Sequence, residues 1–257
     1  MNIKILLFLN VFITIMLFQA CGNKKDMHKG NIVIAGRYIN NTVLNKISDT
    51  IILGNIPHYC YEINFIGADS VDINNGFEEY KLFYKKDSNN HYLLQKASYK
   101  GDMFFTISGD STFILKDSAW NNIPTNTEFK RVPDNRAEKW VFDYYLNAKA
   151  IAGKYRIYKN NKPTQQYVIF KADGNVIGLK DYNTYNLCYA GDCLGETRIE
   201  SNVISLSGNN TKSETTCDYA YKMDRRNGIL CIYALAAPIK DIEGEREIIG
   251  KVFDLRQ

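Results

Sequence analysis

From residue 31 onward the chain is cut into short segments by turn signals. In the first half these are Gly67-Ala68-Asp69, Asn74-Asn75-Gly76, Asp87 to Asn90, Gly101-Asp102 and Gly109-Asp110; in the second, Asp173-Gly174 and Asn227-Gly228 stand out. Asp-Gly and Asn-Gly favour tight hairpins because both residues reach positive φ at little cost. The segments between them are rich in Ile, Val, Thr, Tyr and Phe, and 18 Tyr and 13 Phe bias the chain towards half-buried strands. Strands are expected near 32–39, 50–54, 58–66, 69–73, 79–85, 91–99, 103–108 and 112–116. A second set falls near 152–158, 166–171, 175–180, 185–189, 196–200, 203–207, 217–223, 229–235 and 247–255. Short strands at this spacing predict an all-β chain of antiparallel barrels or sandwiches.

The two sets begin alike. Ile34-Ala35-Gly36-Arg37-Tyr38 recurs as Ile151-Ala152-Gly153-Lys154-Tyr155. We therefore expect two small β halves, 31–118 and 150–257, related by duplication. The linker between them, 119–149, carries one amphipathic pattern. Ala137, Trp140, Val141, Tyr144, Tyr145 and Ala148 fall at i, i+3, i+4, i+7, i+8 and i+11, which predicts a helix over 134–149 with Asp134 as N-cap.

The start of the chain sets its compartment. Met1 to Lys4 is short and basic, 5–18 is apolar, and Gln19-Ala20-Cys21-Gly22 follows. The apolar run suits a signal-peptide core of ~7–15 residues better than a membrane span of ~20. The pattern resembles a bacterial lipoprotein signal peptide. That resemblance implies removal of 1–20, lipidation of Cys21 and a tether over 21–30. Gly22 in place of Asp leans towards the outer membrane, facing the periplasm or the surface. Palmitate-type chains on Cys21 would make the membrane a partner through the anchor.

Five further cysteines are Cys60, Cys188, Cys193, Cys217 and Cys231. In an oxidising envelope they default to disulfides, and an odd number leaves one over. Cys60 is the expected remainder. Cys188 and Cys193 suit a stapled loop, and Cys217 and Cys231 suit neighbouring strands or pairing with the first two. Connectivity stays open.

The Gly-x-Tyr starts resemble the Gly-x-Trp that opens the first strand of lipocalin-like (calycin) barrels. There the aromatic packs on a basic residue of the last strand, so the resemblance implies a barrel-closing pair of Tyr155 with Arg256, and of Tyr38 with Lys116. Phe170, Gly174, Val176, Gly178, Asn183 and Tyr189 resemble the early strands of META-type envelope domains. Both resemblances imply a binding or structural domain. Asp-Ser/Thr steps at Thr50, Ser70, Ser111 and Ser118 resemble bacterial O-glycosylation acceptors.

Catalytic signals are absent from the sequence. There is no GxSxG, SxxK, HExxH, P-loop or dinucleotide fingerprint. His28 lies in the tether, and His58 and His91 read as strand-end residues. No metal or cofactor is expected. Net charge is +4 with both signs mixed along the chain, and no basic block suggests nucleic acid. The expectation is a non-catalytic envelope protein. It is either a lipocalin-like binder of a small apolar ligand or a protein-interaction module such as a periplasmic inhibitor or toxin-immunity lipoprotein. A carrier should hold a cavity of at least about 300 Å³; an interaction module should show a filled barrel.

Overall fold

A computed structural model of the chain describes residues 34–88, 90–99, 101–117, 125–190, 201–210, 213–237 and 246–257. Ala35–Gln257 is one compact unit. Its first eight strands are β1 Gly36–Asn40, β2 Glu62–Ile66, β3 Ser70–Asn74, β4 Glu79–Ser88, β5 His91–Ser98, β6 Gly101–Ile107, β7 Thr112–Asp117 and β8 Thr125–Arg131. They pair antiparallel in chain order, and β1 also pairs with β8, closing a barrel. The remaining strands are β9 Gly153–Lys159, β10 Lys162–Phe170, β11 Val176–Ile177, β12 Thr184–Cys188, β13 Asn202–Asn210, β14 Ser213–Asp224, β15 Ile229–Leu235 and β16 Ile248–Arg256. Their order is β11-β10-β9-β16-β15-β14-β13-β12.

The second order is the first barrel's order opened between its third and fourth strands. In both halves the opening strand sits between the second and the last, as β1 does between β2 and β8 and β9 between β10 and β16. The opening is partly stitched. Asn175 bridges Thr184, Val176 N–H donates to Asn183 O at 2.8 Å, and Tyr185 N–H donates to Gly174 O at 2.7 Å. The repeated glycines lie against the closing end in both. A Cβ on Gly36 would come within 3.2 Å of the Arg131 guanidinium, and one on Gly153 within 2.5 Å of the Gln257 amide.

Alternation builds the first core. Val71, Ile73, Tyr92, Leu94, Phe105, Phe113 and Phe129 point inward while their neighbours face out. The rings fill the barrel. Phe113 stacks on Phe129 with centroids 4.9 Å apart, Tyr92 stacks on Phe105 at 5.1 Å, and Tyr38 meets Phe113 at 5.1 Å. The second core (Tyr155, Val168, Phe170, Leu187, Ile204, Leu230 and neighbours) runs on into Ile39, Val43, Leu44 and Ile56 of the first half. The second core therefore takes in Ile39 of β1 and the segment after it, while the rings inside the first barrel are not part of it.

Two helices are present among the described residues. The short α1, Asn41–Lys46, is capped by Asn40, whose side-chain oxygen accepts from Val43 N–H at 2.9 Å. The helix expected over 134–149 is only Phe142–Ala150 (α2). Residues 134–141 are held in irregular backbone by tertiary contacts. Arg37 donates to the carbonyls of Glu138 and Arg136 at 2.6 and 3.3 Å, and Lys139 and Trp140 both donate to Glu79. Asp134 caps nothing; it lies 3.8 Å from Arg37. The buried face is Phe142, Leu146, Asn147 and Ala150, and the expected Ala148 is exposed.

Three other expectations change. The stretch 119–149 is not all linker, because β8 comes from it and closes the barrel, so the first half extends beyond 118. Tyr38 therefore lies opposite Arg131 of β8, not beside Lys116 of β7. The segment 50–54 is a single 3₁₀ turn at Leu53–Asn55.

Candidate functional site

β4 and β5 part company halfway along. Their pairing runs from Tyr84 opposite Leu94 to Ser88 opposite His91, whereas 79–83 pair only with β3. Lys96 sits at φ +52° within a bulge of β5, and its N–H donates to Asp102 at 2.7 Å, drawing the strand towards β6. A recess of about 380 Å³ opens there, lined by Tyr59, Asn75, Glu78, Tyr80, Ala97, Ser98 and Tyr99.

The recess is built on rigid turns. Asn74 Oδ1 accepts from Gly76 N–H at 2.6 Å, and Asn75 Oδ1 accepts from Phe77 and Glu78 N–H at 2.8 and 2.6 Å. Gly76 stands at φ +88°, and a Cβ there would meet Ala190 at 2.5 Å and the Tyr61 ring at 2.7 Å. Only glycine suits that place. Tyr59 Oη donates to Ala97 O at 2.7 Å, fixing the opposite wall. The turns beside the mouth carry Phe77, 62% exposed, and Tyr99, 81% exposed. Those values mark them as surface aromatics rather than core. The outer face close by adds Phe83 and Phe104, both about half exposed.

A second, more polar hollow of about 210 Å³ lies between 136–147 and the turn after β10, with Asp143, Asp173 and Asn186 on its walls. Arg136 stacks 3.3 Å from the Tyr144 ring centroid beside it. Below it is the buried Glu62. Its Oε2 accepts from Val141 and Phe142 N–H at 2.7 and 2.9 Å, so a strand residue caps α2. Oε1 has no partner. Burial pushes the Glu62 carboxyl up to about 7, against the pull of the two N–H groups and of Arg37, with Asp143 adding to the rise. Tyr189, which donates to Asp143, and Tyr61, which donates to Tyr189 O at 2.6 Å, are both raised by burial.

The expected site residues scatter. Cys21, Cys193 and Ser118 lie outside the described residues. Thr50 and Ser111 are exposed in turns, while the Ser70 hydroxyl donates to Ile66 O at 2.7 Å. Cys188 ends β12. Cys217 and Cys231 do not pair with each other. Cys231 lies opposite Lys222, five residues along β14 from Cys217, and both are thiols. Five residues of strand is ~17 Å, far beyond the reach of a disulfide. Tyr155 and Arg256 do not form the closing pair either. Arg256 is opposite Arg156, so Tyr155, one residue on, faces the other side of the sheet. Tyr155 is fully buried with its hydroxyl donating to Ile151 O at 2.7 Å, and Arg256 lies over Tyr158 at 4.2 Å.

The recess residues Tyr59, Glu78, Tyr80 and Tyr99 were not singled out from sequence. The available signal was Phe77, a large aromatic directly after the Asn-Asn-Gly turn, where a polar residue is usual. Among the described residues no group of His, Cys, Asp and Glu is arranged to hold a metal ion, and no helix is long and apolar enough to cross a membrane. Comparison with protein-family models, curated proteins and solved structures found no match to this chain.

Proposed function

We propose that this chain is a lipid-anchored envelope protein with a non-catalytic binding role, and that what it binds is another protein. In this reading Cys21 carries the lipid at the outer membrane, the barrels are scaffold, and the aromatic recess meets the partner. The observation that carries it is the filled first barrel. Phe65, Phe105, Phe113 and Phe129 occupy the interior where a lipocalin-like carrier would hold its ligand. Exposed Phe77 and Tyr99 beside a concave surface have the character of interface anchors, since aromatics dominate binding hot spots. A staple of Cys188 with Cys193 is part of this reading, with Cys188 placed at the end of β12. Exposed Thr50 and Ser111 suit glycan attachment better than Ser70, whose hydroxyl is engaged.

A small apolar ligand seated in the recess is the second reading, favoured by its volume of about 380 Å³. Native mass spectrometry of the protein, gently extracted from its own membrane, separates the two. A stoichiometric protein partner, lost in Phe77→Ser/Tyr99→Ser, supports the interaction module. A retained small molecule with no protein partner refutes it. Labelling with a palmitate analogue tests the anchor: incorporation should vanish in Cys21→Ala, and label persisting in that variant would refute lipidation there.

A further inference from the structure

We infer that the open edge of β4 beside the recess receives an extended segment of the partner as an added β-strand. The inference rests on the protein-binding reading above and specifies how binding is done. Tyr84 N–H donates to Asp69 O at 2.8 Å, so Tyr84, Leu82 and Tyr80 turn their backbone groups towards β3. Groups alternate along a strand, so Lys81 and Phe83 turn theirs away from β3. On that side β5 would continue the sheet, with Gln95 opposite Phe83 and Ala97 opposite Lys81. The Tyr84–Leu94 pair still engages the Phe83 carbonyl, but the bulge at Lys96 takes β5 away beyond it, and among the described residues no strand pairs with this side of 79–82.

Such an edge selects its occupant. Its N–H and C=O groups alternate at strand spacing, and an extended backbone matches them along a stretch of about 10 Å. Side chains of the added strand would alternate too. One set enters the recess against Tyr80, and the other lies outside over Lys81 and Phe83. That favours a segment with an apolar residue in the recess and an acidic one opposite Lys81. A second copy of this chain is disfavoured at the same place. Lys81 stands exposed in the open stretch of β4, and an edge lysine repels a like edge.

The test uses the mature chain from Cys21, without acyl groups, and a displayed library of random heptapeptides. The most enriched peptide is then titrated against wild type, Lys81→Ala and Lys81→Pro. Proline at 81 removes an N–H that points away from β3, so the β3 ladder is kept. We expect Lys81→Pro to weaken binding by about tenfold or more, and Lys81→Ala by much less. N-methylation at alternate peptide residues should abolish binding. Amide exchange of the wild-type chain should slow at Lys81 and Phe83 when peptide is added, a readout that does not depend on the proline variant folding. Enriched peptides that bind Lys81→Pro as well as wild type would overturn the inference, as would no enrichment, or a wild-type dimer that Lys81→Pro dissolves. A partner retained from the membrane that binds Lys81→Pro unchanged defeats strand addition alone. A retained small molecule with no partner defeats the protein-binding reading itself.

Discussion

Glu62→Gln should change how stability depends on pH, and the direction follows from one buried carboxyl. The Glu62 carboxyl rises from 4.5 to about 7 on folding, chiefly because burial penalises its charge. Between those values the folded chain holds a proton that the unfolded chain has released. The stabilisation is therefore full below pH 4.5 and is lost as pH rises to about 7. Over the whole window the loss is on the order of 3 kcal/mol, and between pH 5 and pH 8 about 2–3 kcal/mol. Glutamine mimics the protonated acid. Its oxygen can accept the Val141 and Phe142 N–H bonds, and its amide nitrogen falls where Oε1 now lacks a partner. That unsatisfied amide costs about 1–3 kcal/mol at every pH. The assay is urea unfolding of both proteins at pH 5 and pH 8. Other titrating groups cancel in the difference between them. The variant should gain about 2–3 kcal/mol relative to wild type between pH 5 and pH 8. A difference that is flat with pH would refute the reasoning, and so would one that falls.

Three further outcomes are expected. Phe129→Ala should cost about 3–5 kcal/mol in urea unfolding, because a fully buried ring stacked on Phe113 leaves a cavity the closed barrel cannot collapse into; a cost under about 1 kcal/mol would mean the barrel repacks. Gly76→Ala should lower stability by about 1–3 kcal/mol and displace the recess turn, read by urea unfolding and by loss of peptide or partner binding. Alkylation without reduction, followed by peptide mapping, should label Cys217 and Cys231 and leave Cys188 and Cys193 linked; a Cys217–Cys231 peptide would contradict the strand register.

The strands were legible because alternation and turn chemistry are local. Asp173-Gly174 and the 227–228 turn lie between strands, as their composition demands. β8 was not seen, because Thr125 to Arg131 offers a single large apolar residue, Phe129, with Thr127 as its inward partner. The helix was placed too early for a different reason. Its start is fixed by Glu62, 79 residues away in the chain, and nothing near Asp134 carries that information. The tyrosine–arginine pair failed on register. A pairing shift of one residue moves every side chain to the other face, and no motif fixes register across a hundred residues. The recess depends on where β4 and β5 separate, which is again a matter of register and of one bulge at Lys96.

The shared strand order sharpens where function should lie. Both halves place their opening strand against their closing one, so the repeated Gly-x-Tyr segments mark a structural seam rather than a site. The halves differ in where the circuit fails to close. In the second it fails between β11 and β12, and the Asn175–Thr184 bridge draws that gap nearly shut. In the first the ring is complete, yet β4 is left open over 79–82, and around the gap Tyr59, Tyr80, Tyr99 and the exposed Phe77 stand beside Asn75, Glu78 and Ser98. A gap that folding alone had left would be expected to carry small polar residues, because exposed apolar surface on an edge invites aggregation. Here aromatics are kept beside an open edge, and Lys81 guards it from self-pairing. That combination favours a surface held available for one kind of partner strand over a defect in an otherwise closed barrel.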